Sequence, residues 1–238
     1  MHTCQGSKRS WIDWGDGLSL ALVLSLECSA RCQYEVAIID APPCPFAGPV
    51  EYANGINSFA HVVGWHFDCD SSWKVAFRWT PQDGYEALDP LPGFDGALAE
   101  DVNDAGQIVG FLEQNLRSAA LWQDGEIIEL GMPPEGNWSE AIAINNAGEI
   151  VGDWGNSIYG PTHGFIWCDG VMTDLGPVLG TPKSGAWGIA ESGQIVGWMG
   201  QSMAFDCEAY LLDDGVVIAL GPVPGGFTSQ AHAINQRN

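Results

Sequence analysis

Apolar runs of four to six residues recur along this chain, each closed by a polar turn. "AIAIN" at 141–145 leads through "NAG" into "EIVG" at 149–152. The same order returns as "AEDVN" (99–103) before "QIVG" (107–110), and as "AWGIA" (186–190) before "QIVG" (194–197). Runs this short, rich in β-branched residues and bounded by Asn and Gly, predict strands joined by tight hairpins. Asn tolerates left-handed backbone and bonds its own main chain, while Gly takes positive φ. Gly148 is therefore expected at positive φ, because "NNAG" must reverse the chain within four residues.

Alignment of the copies extends the pattern. The five-residue stretch recurs as "ANGIN" (53–57), "AEDVN", "AIAIN", "AWGIA" and "AHAIN" (231–235), with Ala always first. Val-Gly follows at 63–64, 109–110, 151–152 and 196–197. A second piece reads "KVAFRW" (74–79), "RSAALW" (117–122), "THGFIW" (162–167) and "CEAYLL" (207–212). Its third column is always small, which predicts a position where another backbone approaches closely. Asp-Gly, a strong signal for a short hairpin turn, comes next at 83–84, 124–125, 169–170 and 214–215. The strand after it is "EIIEL", "VMTDL" or "VVIAL", closed by Leu-Gly at 130–131, 175–176 and 220–221.

Each unit thus holds four antiparallel strands, a to d, and recurs every 42–46 residues. This is the measure of a β-propeller blade rather than of a solenoid coil or a sandwich. The expected fold is all-β: a β-propeller-like array of four-stranded antiparallel blades, with four full repeats and an incomplete fifth. The repeats lie near 53–93, 99–131, 141–176 and 186–221, with a partial one at 231–238. "YEVAIID" at 34–40 has the pattern of a lone d strand, and "AHAIN" is a lone a strand. Together they supply two of the four strands of a fifth blade. This predicts a ring that is either open or closed by a two-stranded remnant, and a chain that is either a fragment of a longer array or associates through its open C-terminal end.

The combined pattern, with "THGFIWCDGVMTDLG" and "AIAINNAGEIVG" as its fullest copies, resembles the HAF-type extracellular repeat family over roughly residues 34–238. The namesake tripeptide survives as His163-Gly164-Phe165, Ala190 stands where Asn is expected, Leu212 replaces Trp, and Ala60 replaces the turn Gly. The resemblance implies export and a propeller-like array, and it implies no reaction.

Composition sharpens this picture. Among 238 residues, 30 acidic side chains outweigh 8 basic ones, for a net charge of −22. Such a surface repels phosphate backbones and anionic head groups, which argues against nucleic-acid and membrane-surface partners. Lys8 and Arg9 precede the apolar run "LSLALVLSL" (18–26) and the small residues "CSA" (28–30). That order predicts a signal peptide over residues 1–30, a mature domain over 31–238 and an extracellular or periplasmic location. The run is too short to span a bilayer. Cleavage after Ala30 would remove Cys4 and Cys28 and leave Cys32, Cys44, Cys69, Cys168 and Cys207, an odd number.

Candidate chemistry is sparse. No Cys/His cluster has zinc spacing, and "DCDSS" (68–72) and "DDG" (213–215) do not match a calcium loop. No nucleophile elbow, phosphate loop or zinc-protease motif occurs, so no metal, cofactor or catalytic residue is expected. The repeated Asn57, Asn103, Asn145 and Asn235 read as turn residues, with a ring of ligands as the alternative. Trp65, Phe111, Trp154 and Trp198 stand at the end of strand b, just after Val-Gly. They are the candidate ligand-stacking residues, against packing between blades. The leading expectation is a secreted, non-enzymatic binding or adhesion scaffold with an unidentified protein or glycan partner. The alternatives are a carbohydrate-binding module using the aromatic column, and a polysaccharide hydrolase or lyase with a site at the pore.

Overall fold

The computed structural model describes residues 39, 51–68, 71, 73–157, 162–202, 206–222 and 225–235. They form four antiparallel four-stranded sheets, each built from consecutive strands. The first holds β1 (Glu51–Ile56), β2 (Val62–Phe67), β3 (Lys74–Thr80) and β4 (Gly84–Leu88). The second holds β5 (Gly96–Val102), β6 (Ile108–Glu113), β7 (Arg117–Gln123) and β8 (Glu126–Glu129). The third holds β9 (Trp138–Ile144), β10 (Ile150–Gly155), β11 (Thr162–Cys168) and β12 (Val171–Asp174). One short helix, α1 (Gly176–Leu179), precedes the fourth sheet of β13 (Lys183–Ile189), β14 (Ile195–Ser202), β15 (Asp206–Asp213) and β16 (Val216–Ala219). Each first strand begins two to three residues ahead of its repeated Ala, earlier than the repeat alone marks it.

The turns follow from their residues. Gly106, Gly148 and Gly193 close the first hairpin of sheets two to four at φ of 80°, 82° and 81°. Ala60 holds the equivalent place in the first sheet and keeps the same turn at φ 62°, in a region that L side chains rarely adopt. Asp124-Gly125, Asp169-Gly170 and Asp214-Gly215 all have positive φ at both positions, the geometry of a two-residue primed turn. Asp83 does not share this, and its turn is instead tied by the Asp83 amide donating to Thr80 Oγ1 at 2.9 Å.

Val-Gly has a different cause. A side chain at Gly64, Gly110, Gly152 or Gly197 would place its Cβ 1.8–1.9 Å from the carbonyl oxygen of Tyr52, Leu98, Glu140 or Gly185. In each sheet that carbonyl belongs to the first strand, which carries a bulge there. The pairing register skips one residue at Asn54, Glu100, Ile142 and Trp187. A bulge lets two residues face one and drives the backbone toward its partner, and only Gly leaves room for it.

The sheets pack face to face in chain order through their buried apolar faces. Val109, Ala119 and Leu121 of the second sheet meet Ala141, Ile144 and Phe165 of the third. Val151 of the third meets Ala186, Ile189 and Tyr210 of the fourth. The small third column of strand c lies where the next first strand comes closest. A Cβ at Gly164 would sit 3.0 Å from the Ala186 Cβ.

Two polar rows join the sheets as well. Ser139, Ser184 and Ser229 accept from the amides of Ala119, Gly164 and Ala209 at 3.0, 3.0 and 2.9 Å. The side-chain amides of Asn57, Asn103 and Asn145 donate to the carbonyls of Asn103, Asn145 and Ala190 at 3.0, 3.0 and 3.2 Å.

The ends of the array are only partly described. Residues 1–30, the expected signal peptide, lie outside the described residues, as do Cys32, Cys44 and Cys69. Of "YEVAIID" only Ile39 is described; it is buried against Val62 and Phe77 on the first sheet. Residues 231–235 make no strand ladder among the described residues. They do lie on the fourth sheet as each first strand lies on the sheet before it. The Ala231 amide donates to the Gly197 carbonyl at 3.2 Å, and a Cβ at Gly188 would lie 3.2 Å from the Ala233 Cα.

Candidate functional site

The expected aromatic column divides. Trp65, Phe111 and Trp198 pair in register with Ala76, Ala119 and Ala209 on strand c. Trp154 does not share this register. It stands two residues after Val-Gly rather than one, and Asp153 takes the aromatic position opposite Gly164. Trp154 therefore lies on the other face of its sheet, with its ring centroid 5.0 Å from that of His163. Burial then separates packing from ligand stacking. Phe111, Trp154 and Trp198 are 3%, 6% and 2% exposed, too little to offer a ring face to a sugar. Trp65 is partly exposed, but Tyr52 stacks on it at 4.4 Å and the Lys74 ammonium lies over it at 5.5 Å.

The side chains of Asn57, Asn103 and Asn145 are turn elements. Oδ1 of Asn145 accepts from the amides of Ala147 and Glu149 at 3.1 and 3.0 Å, and Asn103 and Asn57 do the same in their own turns. With Oδ1 turned to its own loop and Nδ2 to the next sheet, these side chains are committed to structure. Asp68 of the "DCDSS" cluster caps a local turn, accepting from the Ser71 amide at 3.0 Å. No group of three metal-ligating side chains gathers among the described residues.

The structure instead draws attention to the bulges. A cavity of about 1070 Å³ opens between the first strands of the sheets. Asn54, Glu100, Ile142 and Trp187, the four bulged residues, all line it. His232, which holds the same column in "AHAIN", completes the set. In the repeat this second column sits between an invariant Ala and the Ile/Val and Asn columns, yet no two copies agree in it. Repetition fixes the backbone there, and the side chain that emerges is different each time.

The electrostatics around the bulges are acidic. Glu100 accepts from the Asn54 side-chain amide at 3.0 Å. Burial, reinforced by the neighbouring Glu140, pushes its carboxyl up to about 7, against the opposing pull of Arg117. Arg117 is itself engaged by Glu140 and Glu113. Asp153 is raised to about 7 by withdrawal from water, which outweighs the bonds that it accepts. Those bonds come from the Ala186 amide and the Trp187 indole, both at 3.0 Å. They hold the Trp187 ring at the cavity wall, where the His232 ring lies tilted against it with centroids 4.7 Å apart.

Reading the repeat for its constant columns passes over these residues, because the signal lies in a column that varies. The out-of-register Asp153 was also legible as "VGDW" against "VGW" and "VGF".

No family model matches the sequence, and no curated protein matches it. Among solved structures, TolB from Acinetobacter baumannii is similar over 79% of this chain, with a TM-score of 0.54 at 11% identity. The chain spans 46% of the length of that structure. The likeness, together with four stacked antiparallel sheets, shows a β-propeller-like fold.

Proposed function

We propose that this chain is an exported, non-enzymatic binding scaffold of the HAF-repeat type, and that its ligand seats in the cavity between the first strands. The observation that carries this reading is the second column of the repeat. The Ala before it and the Ile/Val column two residues after it are constant, while its own residues, Asn54, Glu100, Ile142, Trp187 and His232, all differ and all line one cavity. Loops and strand irregularities carried on a rigid frame are where binding groups concentrate. The four sheets supply the frame, and residues 231–235 lie against the fourth of them. Export rests on the basic and apolar pattern of residues 1–30, and no described helix is long and apolar enough to cross a membrane.

The test is an array of immobilised peptides and glycans probed with the full chain and with Ile142→Arg. Retained folding and loss of the parent's ligands in the variant are expected. Ligands bound equally by both proteins would move the binding surface elsewhere. A mature N-terminus at Arg31, read by mass spectrometry of exported protein, checks the export assignment.

A further inference from the structure

The cavity has a one-sided charge. Glu100, Asp101, Asp104 and Glu191 line it with His232, and no Lys or Arg does so among the described residues. Three of these four acids already serve the backbone. Asp101 accepts from the amides of Val102 and Ile144 at 2.9 and 3.1 Å. Asp104 accepts from the Ser58 amide at 2.9 Å, and Glu191 from the Asn146 amide at 3.0 Å. Glu100 is different. It stands on a bulge, and among the described residues it accepts only the Asn54 side-chain amide, through Oε2, and no backbone amide. Its nearest cations are held by other carboxylates, Arg117 by Glu140 and Lys74 by Glu113. A desolvated carboxylate lacking its own counter-ion attracts a cation brought by a ligand.

The rest of the lining describes the body of that ligand. Ile142 and Trp187 give apolar and aromatic wall, and Asn54 gives an amide beside the acid. Lys and Arg carry a cation on an apolar stem, and aromatic faces attract such groups. The volume, about 1070 Å³, stands at the upper end of the range of about 300–1000 Å³ for ligand pockets and leaves room for several peptide residues.

We propose that the cavity binds a basic peptide segment of a partner protein, with one Arg or Lys head group on the Glu100 carboxylate and its stem against Ile142 and Trp187. This rests on the cavity being the binding surface, as proposed above.

The experiment is fluorescence anisotropy at pH 8 with a labelled hexapeptide of alternating Arg and Gly, and with its Glu-Gly counterpart. Because the whole chain is acidic, Glu126→Gln, exposed at the start of β8, serves as the control for general attraction. The proposal expects binding of the Arg peptide alone, weakened at least fivefold by Glu100→Gln and at least tenfold by Ile142→Arg. Glu126→Gln should change it less than twofold, and all three variants should keep the parent's circular dichroism spectrum. If Glu100→Gln and Glu126→Gln weaken binding equally, or if neither peptide binds, the proposal is overturned. If both peptides bind and only Ile142→Arg abolishes them, the cavity stands as the binding surface and the basic class is wrong.

Discussion

The side-chain amide of Asn103 donates to the main-chain carbonyl of Asn145, 42 residues further on, at 3.0 Å. Oδ1 of the same Asn103 side chain fastens its own turn. One residue type therefore closes a hairpin and couples that hairpin to the next sheet. The row stops at Ala190, which receives from Asn145 but has no amide to pass on.

Ala190→Asn should restore the row. It offers an acceptor to the amides of Ser192 and Gln194 and a donor toward residue 235. At a net value of about 1 kcal/mol for a made hydrogen bond, the melting temperature should rise by about 2–4 °C. A drop in melting temperature would mean that the pocket around Ala190 has closed over the missing side chain.

Ala60 tests the turn in the opposite sense. Its φ of 62° costs an L residue about 1 kcal/mol or more. Ala60→Gly should therefore stabilise by a similar amount, while Gly148→Val should destabilise by at least that. Denaturant titration of the pair gives both signs at once, and the same sign for both would contradict the shared turn geometry.

Gly152→Ala should be far more damaging than its size suggests. The added Cβ would meet the Glu140 carbonyl oxygen at 1.9 Å and Phe165 Cε1 at 2.9 Å. Loss of about 3 kcal/mol or more is expected in the same titration. Gly125→Ala, with nothing within 4 Å of its Cβ, bears only the backbone penalty of φ 79° and should cost clearly less.

Glu100 gives a signed pH dependence. Its folded carboxyl, at about 7, lies above its ordinary value of 4.5. The folded chain keeps a proton through this window that the unfolded chain releases. The contribution of Glu100 to stability is therefore full below about pH 4.5 and declines as pH rises toward 7. The facing charged groups are Glu140, Asp101, Arg117 and Lys74. Glu100→Gln removes the penalty, so its melting temperature should match the parent near pH 4.5 and exceed it at pH 8. A constant difference across that range would show that Glu100 titrates normally.

Residues 231–235 repeat four of the five residues of 141–145 in a different setting. Ile234 is partly exposed where Ile144 is 4% exposed, and no strand pairs with it among the described residues. Hydrogen exchange should be much faster in 231–235 than in 141–145, with the Ala231 amide the slowest of its group. Equal protection would mean that residues 231–235 are paired into a sheet as 141–145 are.

Much of this architecture is legible in the sequence because each constant column answers to a local demand. Asp-Gly and Asn-x-x-Gly write turns, and Ala or Gly in strand c makes room for a neighbour. Other features depend on contacts between units. Ser139, Ser184 and Ser229 recur at intervals of 45 residues, yet a serine near a strand start has no local meaning. Its purpose appears only when Ala119, Gly164 and Ala209 arrive with their amides. The aromatic column holds its register at Trp65, Phe111 and Trp198, and Trp154 departs from it for a related reason. Side chains alternate across a strand, so the single residue Asp153 moves Trp154 to the opposite face.

The bulge opposite Val-Gly has a consequence for how such a chain can change. The bulged backbone is specified by the glycine across from it and by the alanine beside it, not by the bulged residue itself. Asn, Glu, Ile and Trp already occupy it without disturbing the pairing on either side. The position is thus an interchangeable socket, repeated around one opening. On the binding reading proposed above, substitutions confined to 54, 100, 142, 187 and 232 would change what the opening presents while leaving the scaffold that displays it unaltered.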